Sequence, residues 1–231
     1  MRRLIYEAGP WNDGRPFAYD QADPLGQSPR SRLLPVYLET RLGNCVSMPI
    51  LFLILADRLG LDMALAAAPL HMFVRWRDES GGTLNLETTS GAHPARDAWF
   101  RHNMPMSDLA LANGLYMRSL GRREGVTLMA HTLLESLMAK GRYGDVIEVA
   151  DVILDHGPRD VYAMLKKATA GGYIIRTEFE ARYRHPFLIP MPQRLRYLSL
   201  QRSNETLFAA AEALGWEPEG DLGQDLSERN G

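Results

Sequence analysis

The sequence predicts an α+β protein, with an antiparallel sheet and one strongly apolar helix in its first half and helices alone in its second. Three observations carry this expectation. Residues 46–56 form the most apolar run of the chain. Residues 69–76 and 83–88 each alternate between two faces on either side of Asp78-Glu79-Ser80-Gly81-Gly82, the pattern of a β-hairpin. Beyond residue 98, apolar side chains recur at three- and four-residue spacing, which marks helices.

Composition removes several function classes. The chain has 231 residues, 45% hydrophobic and 23% charged, enough to bury the core of one large domain or two small ones and too apolar for disorder throughout. Its one cysteine can neither close an internal disulfide nor supply a multi-cysteine zinc site. The 26 Lys plus Arg against 28 Asp plus Glu give no basic excess, so no nucleic-acid partner is expected. Met1-Arg2-Arg3 leads into only a short apolar stretch, and residues 46–56 fall well short of the roughly 20 apolar residues that cross a bilayer. A cytoplasmic protein without a membrane partner is expected.

In chain order, residues 6–35 are rich in Gly, Pro, Asp and Asn, as in Gly9-Pro10, Asn12-Asp13-Gly14 and Asp23-Pro24, and sustain neither a helix nor a central strand. Trp11, Phe17 and Tyr19 supply apolar anchors, so this stretch should be an ordered arm lying over the domain. Residues 33–42 read as a short helix stopped by Gly43 in the left-handed conformation. The next helix should open at Asn44-Cys45 with Asn44 as its N-cap, tolerate Pro49 near its start, and run to Leu59 before Gly60. On the strand at residues 69–76, His71, Phe73 and Arg75 share one face and Met72, Val74 and Trp76 the other.

In the second half, Met104-Pro105-Met106-Ser107-Asp108 reads as a loop ending in a helix cap, followed by helices near 109–116, 124–139, 143–155, 159–171 and 193–214. Residues 127–160 compare with a tetratricopeptide unit: Leu134, Gly141, Tyr143, Val146, Ala150, Ile153 and Pro158 fall near its offsets, with Leu134 and Val146 where the repeat has small residues. One such unit is too few for a free-standing solenoid, which takes about three, so these helices should pack on the first half. Three segments are expected: a thiol core with its arm at 1–108, a tetratricopeptide-like region at 109–216, and a loose polar tail at 217–231.

The chemistry concentrates on the single thiol. Cys45 follows Gly43-Asn44 at the expected start of an apolar helix, where unpaired N–H groups and the helix dipole favour a thiolate. A small buried cysteine is the competing reading. A nucleophilic cysteine needs a base, and His71 stands at the start of a strand, held rigidly behind Pro69-Leu70. With a turn centred near Glu79, the antiparallel partner of His71 falls at or next to Glu87, and Asn85 shares that face. Glu87 and Asn85 are both placed to orient the imidazole. The Cys45 backbone N–H is one candidate oxyanion donor; Asn44 and the Trp11-Asn12 segment are candidates for a second.

Taken together, Arg41-Leu42-Gly43-Asn44-Cys45-Val46-Ser47, Pro69-Leu70-His71-Met72-Phe73-Val74 and Asn85-Leu86-Glu87-Thr88 follow the Cys, His, carboxylate order of the transglutaminase-like branch of papain-type thiol enzymes. With its helical half, the chain resembles the bacterial transglutaminase-like proteins that join this core to tetratricopeptide-like helices. The resemblance implies a papain-type core in which Cys45 is the nucleophile, His71 the general base and acid, and Glu87 the orienting third member. The usual third residue is Asp, so Glu87 departs from the pattern. The implied activity is amide or peptide hydrolysis, or acyl transfer, on a peptide or protein substrate; hydrolysis is favoured because nothing marks an amine site. A non-catalytic peptide-binding protein that uses its helices is the alternative.

No cofactor or metal is expected. His93, His102, His131, His156 and His185 lack close ligand spacing and read as core or solvated residues, while Thr88-Thr89-Ser90-Gly91 and Gly81-Gly82 read as turns rather than phosphate loops.

Overall fold

The computed structural model describes residues 1–218; the tail expected at 217–231 lies outside them from residue 219. Helix α1 (Arg2–Tyr6), which no sequence signal announces, puts Ile5 into a core with Phe52, Val74 and Leu86. Aromatic residues order the Gly- and Pro-rich arm: Phe17 meets the buried Tyr37 ring edge-on at 5.0 Å, and Tyr19 packs on the same cluster. Trp11 differs from expectation, because it lies largely exposed beneath the Arg3 guanidinium instead of anchoring the core. Strand β1 (Ala18–Tyr19) pairs in parallel with β2 (Leu42–Gly43), Tyr19 opposite Gly43.

Helix α2 (Leu34–Thr40) stops before the glycine that was expected to end it. Arg41 takes the left-handed turn at φ 61°, with its N–H on the Tyr37 carbonyl and its guanidinium on the Asn12 carbonyl. Gly43 is needed for close approach instead: a Cβ there would stand 2.6 Å from the Tyr37 ring. Helix α3 (Ser47–Arg58) begins two residues after Cys45. Asn44 nonetheless satisfies its first donors, since its Oδ1 accepts from Val46 and Ser47 N–H and its carbonyl accepts from Met48 N–H.

A four-stranded antiparallel sheet follows in the order β3 (Met63–Ala68), β4 (His71–Arg77), β5 (Thr83–Glu87) and β6 (His93–Ala95). The expected hairpin is β4–β5. Pro69 and Leu70, read as strand residues, form the turn of a second hairpin in which Ala68 pairs with His71. The two faces foreseen for β4 are both covered. Phe73 stacks at 4.1 Å on Phe100 of α4 (Asp97–Asn103), and Val74 packs with Phe52 of α3.

Helix α5 (Asp108–Ala112) opens on Ser107, whose hydroxyl accepts the Ala110 N–H, and ends sooner than expected. Residues 117–120 then run beside β3, with Met117 and Leu120 N–H donating to the Ala67 and Leu65 carbonyls, so the open edge of the sheet is occupied. Helices α6 (Arg122–Ala139), α7 (Tyr143–His156), α8 (Val161–Ile174) and α9 (Met191–Ala213) each pack on the next, and α8 runs on as a π-helix at Ile175–Glu180. Between α6 and α7, Gly141 at φ 66° lets its own N–H and that of Arg142 close on the Met138 and Leu137 carbonyls. Leu134, Val146, Ala150 and Ile153 are buried together with Ala163 of α8. After α9 the chain returns to the sheet half, where the Ser107 hydroxyl donates to the Gly215 carbonyl at 2.7 Å and Trp216 joins a cluster with Leu115.

Candidate active site

Cys45 sits in the turn between β2 and α3, and that turn is fixed by the fully buried Asn44. While the Asn44 oxygen caps α3, its Nδ2 donates to Ser31 Oγ at 3.2 Å, and Ser31 donates in turn to the Asp23 carboxylate at 2.7 Å. The same carboxylate accepts from Gln27 and Ser28 N–H; although burial opposes it, these bonds, led by that from Ser31, hold its pKa below the ordinary value. The arm and the Cys45 turn are therefore one hydrogen-bonded unit. Asn12 is engaged elsewhere, donating to the Glu7 carbonyl and accepting from Gly9 N–H.

His71 opens β4, and its Nε2 meets Glu87 Oε2 at 2.6 Å. The imidazole is 12% and the carboxylate 5% exposed. The Phe100 ring lies 6.2 Å from the imidazole, and the Cys45 thiol makes a long hydrogen bond of 3.9 Å to the carbonyl of Leu70, the residue before His71. Burial works against the imidazolium, but hydrogen bonding with Cys45 and Glu87, together with their charges, raises its pKa to about 9. With Nε2 held by Glu87, Nδ1 is the ring nitrogen left to serve the thiol.

Glu87 ends β5. Its Oε1 accepts from Thr89 N–H at 3.0 Å and Thr89 Oγ1 at 2.6 Å, so both carboxylate oxygens are engaged. Burial alone would raise its pKa, yet the bond and charge of His71 and the Thr89 bonds hold it below its ordinary value. The register corrects the expected alignment. Val74 stands opposite Leu86, which continued outward puts Glu87 across from Phe73, two residues beyond His71. Because that offset is even, both side chains stay on one face. A diagonal pair of this kind is separated by about 7–8 Å, which the longer glutamate can span better than aspartate. Asn85 lies opposite Arg75 on that face, and its amide donates to the Ala95 carbonyl and to Asp97 Oδ1, at 3.2 and 2.5 Å.

The sequence pattern therefore brings Cys45, His71 and Glu87 together, while Asn44 and Asn85 are committed to the turn and to β6 and α4. It did not single out Thr89, whose only signal was its place two residues after Glu87 in a turn. Nor did it mark Tyr19 as a neighbour of the site; its phenol is pushed up to about 12 by burial, then by the charges of Cys45 and Glu87. Among the described residues no group of three or more His, Cys, Asp or Glu side chains could hold a metal ion.

Residues 16–98 match the family model of the transglutaminase-like superfamily. The matched segment contains Cys45, His71, Asn85, Glu87 and every strand of both sheets, and it ends inside α4, before the helical half. No match is found among curated proteins or solved structures. No helix among the described residues is long and apolar enough to cross a membrane.

Proposed function

We propose that the protein is a thiol-dependent amide or peptide hydrolase, with acyl transfer to an amine as the variant outcome, in which Cys45 is the nucleophile, His71 the general base and acid, and Glu87 the residue that orients His71. The observation that carries this reading is an imidazole only 12% exposed, bonded through Nε2 to Glu87 at 2.6 Å and shifted upward in pKa by both Glu87 and the Cys45 thiol. Cys45 Sγ, as the thiolate paired with the His71 imidazolium, adds to the carbonyl carbon as the carbonyl electron pair moves onto oxygen, towards the Cys45 backbone N–H. Collapse expels the amine, which takes the proton from His71, and leaves a thioester. Water then attacks the thioester, giving a proton to His71, and Sγ departs with the bonding pair, which restores the thiolate–imidazolium pair. Glu87 stabilises the imidazolium and keeps Nδ1 turned to the sulfur.

Thiol labelling tests this. Iodoacetamide should alkylate Cys45 rapidly at pH 6, and His71→Ala should slow that reaction by about 100-fold or more. Slow labelling that begins only above the ordinary thiol range and ignores His71 would refute it. The second reading is a peptide-binding protein whose helices carry the function, proposed as tetratricopeptide-like. It is favoured by the exposed Met191, Leu195 and Leu198 on α9, and peptide binding retained in Cys45→Ala with no thiol reactivity in the native chain would support it.

A further inference from the structure

We propose that Leu70 sets the specificity of the Cys45 site for an acyl donor whose side chain next to the reacting carbonyl is apolar, an inference that rests on the nucleophilic reading of Cys45. Pro69 and Leu70 make the two-residue turn between β3 and β4. Proline holds its own φ near about −65°, and Leu70 follows at φ 53°, the turn position that glycine or asparagine ordinarily fills. Four other non-glycine residues among those described have positive φ, and each has a local reason. Arg41 ties its guanidinium to the Asn12 carbonyl, Ala92 is buried with Ile5 and Phe52, and Met117 bonds the edge of β3. Asp13 is of a residue type that enters this region readily. Leu70 has no comparable return, because it is 71% exposed. Strain without a packing reason concentrates at functional sites.

What the turn provides is position. The Leu70 carbonyl lies 3.9 Å from Cys45 Sγ, and His71 is the next residue. The Leu70 side chain, 71% exposed on a turn whose carbonyl reaches the sulfur, is therefore free to meet a substituent carried by a carbonyl carbon bonded to Cys45. Phe100 stands 6.2 Å from His71, and half-exposed Trp99 meets it edge-on at 5.1 Å, so apolar surface also lies behind the imidazole. Glu87 is already paired with His71, and apolar burial against Leu70 is the attraction proposed for the substituent.

N-acetylated amino-acid chloromethyl ketones with Gly, Leu and Asp side chains test this. Each alkylates a thiol by forming an S–C bond as chloride leaves with the bonding pair. Cys45 modification is followed by mass spectrometry, and each rate is divided by the iodoacetamide rate of the same variant. In the native chain the Leu reagent should exceed the Gly reagent by at least about tenfold, with Asp slowest. In Leu70→Gly, which suits the positive φ, the Leu-to-Gly ratio should fall to within about twofold, and Leu70→Met should restore most of it. Equal native rates, or a preference that survives Leu70→Gly, overturn this proposal alone. A Cys45 inert to iodoacetamide overturns the nucleophilic reading and this proposal with it.

Discussion

Each half of this molecule contains a largely covered histidine bonded to a carboxylate, and the two pairs differ in what surrounds them rather than in themselves. His71 and Glu87 meet at 2.6 Å and His131 and Asp160 at 2.9 Å; the side chains are 12% and 5% exposed in the first pair, 7% and 12% in the second. Around His131 everything is structural. Its ring stacks at 4.3 Å on Tyr162, Asp160 caps α8 by accepting the Ala163 N–H, and the bond joins α6 to the start of α8. Around His71, Nε2 is bonded to Glu87, and the only thiol in the chain is near enough to raise the imidazole's pKa. A histidine–carboxylate pair is therefore no catalytic signature on its own; the third neighbour decides.

Exchanging the two histidines for alanine in turn should separate the roles. His71→Ala should slow Cys45 alkylation by about 100-fold or more. His131→Ala should leave that rate unchanged and destabilise the fold by about 2–3 kcal/mol, because Asp160 loses its buried partner and Tyr162 its stacking ring. Urea unfolding read beside alkylation would show this. A His131→Ala chain that kept its stability but lost thiol reactivity would erase the distinction.

The pattern of the sequence made the first pair legible and hid the second. Alternation put His71 and Glu87 on one face, and the turn cluster at residues 78–82 set their approximate alignment, wrong by two residues but even, so the face survived the error. His131 and Asp160 lie 29 residues apart on different helices, where no local period links them. Helices α6 to α9 were visible because their apolar spacing repeats over many turns. Strand β6 was not, since three residues that include Pro94 carry no alternation. Helix α1 was lost to its five-residue length, and Arg41 displaced Gly43 as helix terminator because its guanidinium bonds offset a strain that local propensity alone would assign to glycine.

Acid–base linkage sharpens the contrast within the first pair. The folded chain raises His71 from 6.5 to about 9, so its contribution to stability is complete below pH 6.5 and disappears as pH climbs through 9. Glu87 is shifted down from 4.5, so its contribution is complete above that value and is lost as pH falls below it. Native stability should therefore decline by on the order of 3 kcal/mol between pH 6.5 and 9.5, and the decline should be absent in His71→Gln. Urea midpoints across that range decide the matter; an equal decline in both chains would assign the effect to other groups.

Leu70 brings the smallest expected effect and the most telling sign. A leucine held for packing destabilises a protein when removed, as burial lost at about 25 cal/mol per Å² requires. Leu70 is largely exposed and has φ 53°, a conformation that costs an L-residue about 1–2 kcal/mol. Leu70→Gly relieves that strain and gives back about 0.4–1 kcal/mol through the freer unfolded chain. The net should be a gain of about 0.5 kcal/mol, a rise of roughly 1–2 °C in Tm for a chain of this size. Stabilisation together with a loss of apolar preference at Cys45 is the trade expected where a strained residue serves a site and not the core. A fall in Tm would place Leu70 with the packing residues and make its exposure beside the thiol incidental.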